Sequence, residues 1–206
     1  MGGYNRYGPT QTSLVLSGNG SWKEGPNLPS RGGDGACSAA WGGSFFLIGG
    51  GNNYQVREYD TVKGRWEEEI RWPQLGQGRY THACSILGTQ LIVAGVWEYD
   101  LHTLSSTVSL DLASGRGAAW LEGGKLNTPR HSLALVTVGA AGRERLYALG
   151  GEFRMGGYPD TVKRYPDTVE RWEEGTRMWV EEEERLPEGR YKMGAVAAVS
   201  DNVCTA

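Results

Sequence analysis

The chain has 206 residues, 32 of them glycine and 8 tryptophan, with a formal net charge of -3 and a sequence pI of about 5.7. That balance offers no electrostatic footprint for a nucleic-acid backbone. No apolar run approaches the ~18 residues of a membrane-spanning helix, so no membrane partner is expected.

One phrase recurs along the chain: a glycine pair, a stretch ending in tryptophan, then Leu-(Pro)-x-x-Arg. The pairs are Gly2-Gly3, Gly49-Gly50, the degraded Ala94-Gly95 and Gly150-Gly151; the tryptophans are Trp22, Trp66, Trp120 and Trp179; the arginines are Arg31, Arg79, Arg130 and Arg190. A repeat of this length marks a supersecondary unit that cannot bury its apolar face alone. In chain order, the opening Met-Gly-Gly-Tyr-Asn-Arg lacks the apolar region of a secretory signal. Strands are predicted from Thr12 to Ser17 and from Trp22, with Asn19-Gly20 as the turn. The next unit predicts strands at Ala36–Ala40, Phe45–Ile48 and Val56–Tyr59, and a last one from Arg65. Its successor predicts Ala83–Leu87, Leu91–Val93, Val108–Asp111 and a strand at Trp120; the third predicts Leu133–Val136, Leu146–Leu149, Val169–Trp172 and a strand at Trp179. The tail predicts a first strand over Met193–Val199 and the opening of a second at Val203–Ala206. Continuous apolar runs suit strands buried on both faces, and alternation suits half-exposed ones.

Glycine pair, Tyr59-Asp60, Trp66 six residues beyond that aspartate and Leu-Pro-x-x-Arg together resemble the kelch repeat over essentially the whole chain. Departures are Ala94 in one pair and Val15 and Trp172 where the tyrosine is expected. A near-exact tandem, YPDTVKR then YPDTVER within 158–171, reads as a duplication inserted into a loop. The resemblance implies an all-β, kelch-type β-propeller of four-stranded antiparallel blades. One domain over 1–206 is expected, with blades at about 31–74, 79–126 and 130–186. A fourth blade is shared between 190–206 and 1–28, which closes the ring and removes exposed edges. Kelch rings commonly have more blades, so a fragment or a two-chain assembly stands as the alternative.

Two loop sets are expected on one rim: those after the glycine pairs and those before each first strand. They carry the candidate binding residues Arg6, Tyr7, Asn53, Tyr54, Trp97, Tyr99, Phe153 and Arg154, and Arg31, Arg79, Tyr80, Arg130, Arg190 and Tyr191. Aromatic residues and arginine are the types enriched at interface hot spots, and arginine makes bidentate contacts to carboxylates. The recurring arginines equally suit a scaffold role, capping strand carbonyls or pairing with a buried acid. In kelch substrate adaptors this face captures acidic peptides, so the resemblance implies a protein or peptide partner.

No H-E-x-x-H, G-x-S-x-G or P-loop occurs, and no cofactor is expected. His82, His131 and the triplet Glu98-x-Asp100-x-His102 form a thin case for a metal site. The expected function is a non-enzymatic interaction module, a substrate adaptor or scaffold, as a monomer or subunit of a complex. The rivals are an enzyme or small-ligand binder using the axial opening, and an architectural subunit. Cys37, Cys84 and Cys204 make no CxxC pair and read as reduced core residues, which points to a cytoplasmic or nuclear setting. The acidic runs Glu67–Glu69 and Glu181–Glu184 read as solvated outer strands.

Overall fold

Short apolar runs punctuated by glycine build a chain of antiparallel hairpins. The computed structural model describes residues 4–6, 8–29, 35–51, 53–97, 102–155 and 162–197. Two small hairpins come first, β1 (Tyr4–Asn5) with β2 (Gly8–Pro9), and β3 (Ser13–Leu16) with β4 (Trp22–Gly25). The first four-stranded sheet is β5 (Cys37–Trp41), β6 (Ser44–Ile48), β7 (Val56–Asp60) and β8 (Arg65–Trp66). The second is β9 (Ala83–Leu87), β10 (Gln90–Trp97), β11 (Thr103–Asp111) and β12 (Leu121–Glu122), with a 3₁₀ turn at Leu112–Gly117. The third begins with β13 (Ala134–Val138) and β14 (Arg145–Leu149). A separate hairpin, β15 (Phe153–Met155) with β16 (Val162–Arg164), interrupts it before β17 (Thr168–Glu173) and β18 (Met178–Arg185) complete the order 13-14-17-18. Tight turns follow the expected chemistry: Trp41 pairs with Ser44 across Gly42 and Gly43, whose φ values of 59° and 79° make a two-residue hairpin loop that side chains resist.

The apolar strands bury two cores, one between the first and second sheets around Phe46, Ile48, Leu91 and Val93, the other between the second and third around Ile92, Ala94, Leu146 and Trp172. The repeat tryptophans tie each sheet to the one before. Trp66 donates from its indole to the Pro26 carbonyl (3.4 Å), Trp120 to that of Pro73 (2.9 Å) and Trp179 to the Thr107 hydroxyl (2.9 Å). The first strands β5, β9 and β13 pack side by side. Ahead of them runs a ladder of backbone bonds: Thr81 N donates to Gly35 O, Ser132 N to Thr81 O, and Lys192 N to Ser132 O. Thr81, Ser132 and Lys192 all hold φ between 51° and 54°, a left-handed conformation these residues rarely adopt, recurring at one place in the repeat.

Three expectations need correction. Residues 193–197 form no strand, and 1–3 and 198–206 lie outside the described residues, so of the expected shared blade the structure describes the two-stranded β3–β4 hairpin. Residues 195–197 nonetheless line a cavity of about 400 Å³ with β5, β9 and β13. Secondly, Cys37 and Cys84 are not reduced: they face each other from β5 and β9, with Cα atoms 5.7 Å apart, and form a disulfide. Closing 47 residues restricts the unfolded chain by about 4 kcal/mol on loop-entropy grounds. The cytoplasmic expectation, which leaned on reduced thiols, loses that support; Cys204 lies outside the described residues. No helix among the described residues is long and apolar enough to cross a membrane.

The third concerns the duplication. It does not lie wholly in a loop: the second copy supplies β17, while the first ends in the β15–β16 hairpin. Aligning the copies puts Lys163 at the position of Glu170 and Tyr165 at that of Trp172. Glu170 is fully enclosed and ion-paired to Arg130 at 2.6 Å, and Trp172 packs edge-on against Trp179 with ring centroids 5.2 Å apart. Placing the first copy in the sheet would bury Lys163 against Arg130, so charge selects the second copy.

Trp66 is 8% exposed, whereas its repeat partner Trp22 is 65% exposed. Trp66→Ala is expected to cost about 3–5 kcal/mol in urea unfolding and Trp22→Ala under about 1 kcal/mol. Equal shifts in midpoint would contradict the inter-sheet role of the repeat tryptophan.

Candidate functional site

The two loop sets meet at one side of the sheets. Segments following the second strands pair with segments preceding the first strands: Trp97 N donates to Tyr80 O (3.1 Å), and His131 and Glu152 exchange backbone bonds of 2.9 and 2.8 Å. Gly50 N donates to Arg79 O and Gly151 N to Arg190 O in the neighbouring unit. A side chain at Gly150 would run into that same Arg190 carbonyl, and one at Gly95 into the carbonyl of Arg130. The glycine pairs are thus points of contact between successive units.

The arginines divide. Arg79 and Arg130 are buried scaffold. Arg79 donates to the carbonyls of Gly95 (3.3 Å) and Ser106 (3.2 Å), and Arg130 to those of Gly150 (2.9 Å) and Thr168 (3.1 Å), the same two-carbonyl grip in consecutive sheets. Arg130 also donates to the Thr168 hydroxyl and the Glu170 carboxylate, both at 2.6 Å, and Glu170 accepts from the backbone of Asn127 and Thr128. Burial holds the Arg79 pKa down at about 10, opposed by the charge of Glu122, so it stays cationic at neutral pH. With every direction of these guanidinium groups enclosed, the ligand contact expected of Arg79 and Arg130 is closed to their side chains. Arg190 is exposed and reaches the equally exposed Glu188 (3.3 Å).

A polar and aromatic cluster lies at the second and third sheets. Trp97 stacks on His131 (centroids 5.8 Å apart, 24° between planes) and packs tilted against Tyr80. Arg154 sits 5.3 Å over the Trp97 ring and bonds through Nε to the buried Glu152 (2.5 Å). Burial lowers the His131 pKa to about 4; the charges of Arg154 and Lys192 work in the same direction, and Glu152 opposes them. Its Nδ1 lies 3.0 Å from the Ser132 hydroxyl. Trp97 Nε1, His131 Nε2 and Glu152 Oε2 are buried without hydrogen-bond partners among the described residues.

Beside this cluster the β15–β16 hairpin and the second copy of the duplication enclose a cleft of about 310 Å³, lined by Thr128, Pro129, Phe153, Arg164, Tyr165 and Pro166. Phe153 and Arg164 are cross-strand partners, as are Arg154 and Lys163. Tyr165 stacks on the exposed Tyr191 with centroids 4.9 Å apart, and the Lys192 ammonium lies 5.7 Å from the Tyr191 ring. Gly189 touches the Tyr165 carbonyl so closely that no larger residue fits there. Neither Lys163 nor Arg164 has an acidic partner among the described residues.

The remaining expected residues are spread. Tyr54 is 45% exposed and packs beside Gly78 on the first sheet. Asn53 accepts from Gln55 N, shaping its own turn, and Arg6 is exposed. Tyr7, Arg31 and Tyr99 lie outside the described residues, as do Glu98 and Asp100 of the metal triplet. His82 turns inward, its Nε2 3.0 Å from the Ile48 carbonyl, and the described residues hold no group of three or more potential metal ligands. Sequence reading passed over Lys163, Arg164, Tyr165 and the Pro129–Pro166 pair; the tandem copy was the one signal that pointed to them. No family model matches this chain, and no curated protein matches it.

The two inward histidines set a pH response. Burial, with the charge of Arg79, lowers the His82 pKa to about 3, and that of His131 falls to about 4. Below pH 6.5 the unfolded chain therefore binds protons that the folded protein refuses. Stability is lost as pH falls from about 6.5 towards 4, at a slope approaching about 1.4 kcal/mol per pH unit for each histidine. Urea midpoints from pH 7 to 4.5 should fall less steeply in His82→Gln than in the parent chain. An unchanged slope would contradict the buried, neutral state of His82.

Proposed function

We propose that the chain is a kelch-type β-propeller acting as a protein-interaction module, with an acidic segment of a partner docking on the loop side of its second and third sheets. The ring is supported by the side-by-side first strands and by the ladder from Gly35 through Thr81 and Ser132 to Lys192, which carries residues 190–197 into the next place around the shared cavity. In this reading the fourth blade has β3 and β4 as its outer strands. The set of repeated residues, glycine pair and buried arginine, belongs to the scaffold; the binding groups are those that break the repeat.

The observation that carries the reading is the pair of cations Lys163 and Arg164, without acidic partners among the described residues, beside exposed aromatic rings in a protein of net charge -3. Such cations contribute attraction and orientation to an acidic partner, and the rings contribute buried area. A second reading draws on Trp97 Nε1, His131 Nε2 and Glu152 Oε2, which have no hydrogen-bond partner among the described residues: a small polar ligand in that cluster would satisfy them.

In fluorescence anisotropy, a labelled Asp/Glu-rich peptide should bind the intact chain more tightly than its Lys-rich counterpart, with affinity falling as salt rises. The double variant Lys163→Glu, Arg164→Glu should lose at least about tenfold in affinity while its melting temperature holds. Binding indifferent to both salt and charge reversal would contradict the reading.

A further inference from the structure

We propose that the cleft between Phe153 and Tyr165 is an anchor pocket for one large apolar side chain, aromatic or leucine, of the acidic segment, with Arg164 receiving a carboxylate adjacent to that anchor. This rests on the interaction-module reading above and names what that partner must present. The cleft holds about 310 Å³, the floor of the roughly 300–1,000 Å³ range of small-molecule sites, which suits a single bulky side chain.

Its walls are held in place before anything binds. Pro129 and Pro166 have restricted backbones, and the Tyr165 ring is fixed by its stack on Tyr191 at 4.9 Å. Behind it, Gly189 presses on the Tyr165 carbonyl. Phe153 is set by its pairing with Arg164 across the hairpin, so the apolar floor and the cation come from directly opposed positions. A rigid pocket loses little entropy on binding, which lets one side chain contribute much of the affinity.

Charge chooses the occupant. Arg164 lines the cleft, Lys163 is its neighbour on β16 and Lys192 lies over Tyr191, while the acids near them in the chain, Glu152, Asp167 and Glu188, are already paired with Arg154, Arg185 and Arg190. An anchor flanked by Asp or Glu meets this rim favourably, and one flanked by Lys or Arg is repelled. The pocket exists because the first copy of the duplication is kept out of the third sheet: its Arg164 stays on the hairpin while Tyr165 and Pro166 of the second copy form the facing wall.

The test compares two acetylated peptides, Glu-Glu-Phe-Glu-Glu and Glu-Glu-Ala-Glu-Glu, in anisotropy competition against the intact chain. The phenylalanine peptide should bind at least about tenfold tighter. Thr128→Trp, which fills the cleft, and Phe153→Ala, which removes its floor, should each erase that advantage and leave the salt-dependent binding of the alanine peptide in place; circular dichroism confirms folding of both. Equal affinity of the two peptides overturns the pocket while leaving the charge-based module intact. An advantage that survives both variants also overturns it, placing the anchor elsewhere. If neither peptide binds, the module reading itself fails and the pocket with it.

Discussion

The enclosed ion pair between Arg130 and Glu170 is the constraint from which the third sheet and its loops follow. Arg130 spans the Gly150 carbonyl just after β14, the Thr168 carbonyl opening β17 and the Glu170 carboxylate, so a single side chain joins the approach to β13 with two later strands. Burying these charges is favourable only because their hydrogen bonds are met. Arg79 performs the same two-carbonyl grip in the second sheet with no ion pair to an acid among the described residues, so the carbonyls are the common element and the carboxylate is an addition in the third. That addition decides which copy of the duplicated segment enters the sheet, and the excluded copy becomes the hairpin carrying Lys163 and Arg164.

Scaffold and proposed binding surface consequently separate along a simple line. Residues that obey the repeat in the four-stranded sheets serve the scaffold: the glycines touch the next unit's backbone, Trp66 and Trp179 are buried between sheets, and Arg79 and Arg130 hold carbonyls, whereas Trp22 and Arg190, at the ends of the array, are exposed. Residues that break it, such as Phe153, Arg154, Arg164 and Tyr165, gather on the loop side. The strained backbone at Thr81, Ser132 and Lys192 falls at the boundary between the two, where the ladder of inter-sheet bonds forces a conformation that these residues would otherwise avoid.

Much of the strand plan was legible in the residues because each strand is short, apolar and bounded by glycine. Ala83–Leu87 appears as expected, and β6, β7, β14 and β17 differ from expectation by a residue or two at their ends. Other features required contacts between distant positions. The Cys37–Cys84 disulfide joins two strands whose neighbourhood no spacing announces. The recurring arginines read equally well as rim or scaffold in the sequence, and only the burial of Arg79 and Arg130 separates the two. The duplication was visible, yet the choice between Lys163 and Glu170 depends on the buried charge of Arg130, a partner 33 and 40 residues away in the chain. β11 begins earlier than expected, at Thr103, because β10 extends through Val96 and Trp97 past a bulge and gives it a partner.

The central claim is that Arg130 and Glu170 act as one buried unit. A double-mutant cycle on unfolding free energy tests it most directly, using Arg130→Met, Glu170→Met and the two together. The account predicts that each single replacement costs about 3–5 kcal/mol, because it strands a buried charge, and that the double variant is no less stable than the worse single. Costs that simply add would contradict it.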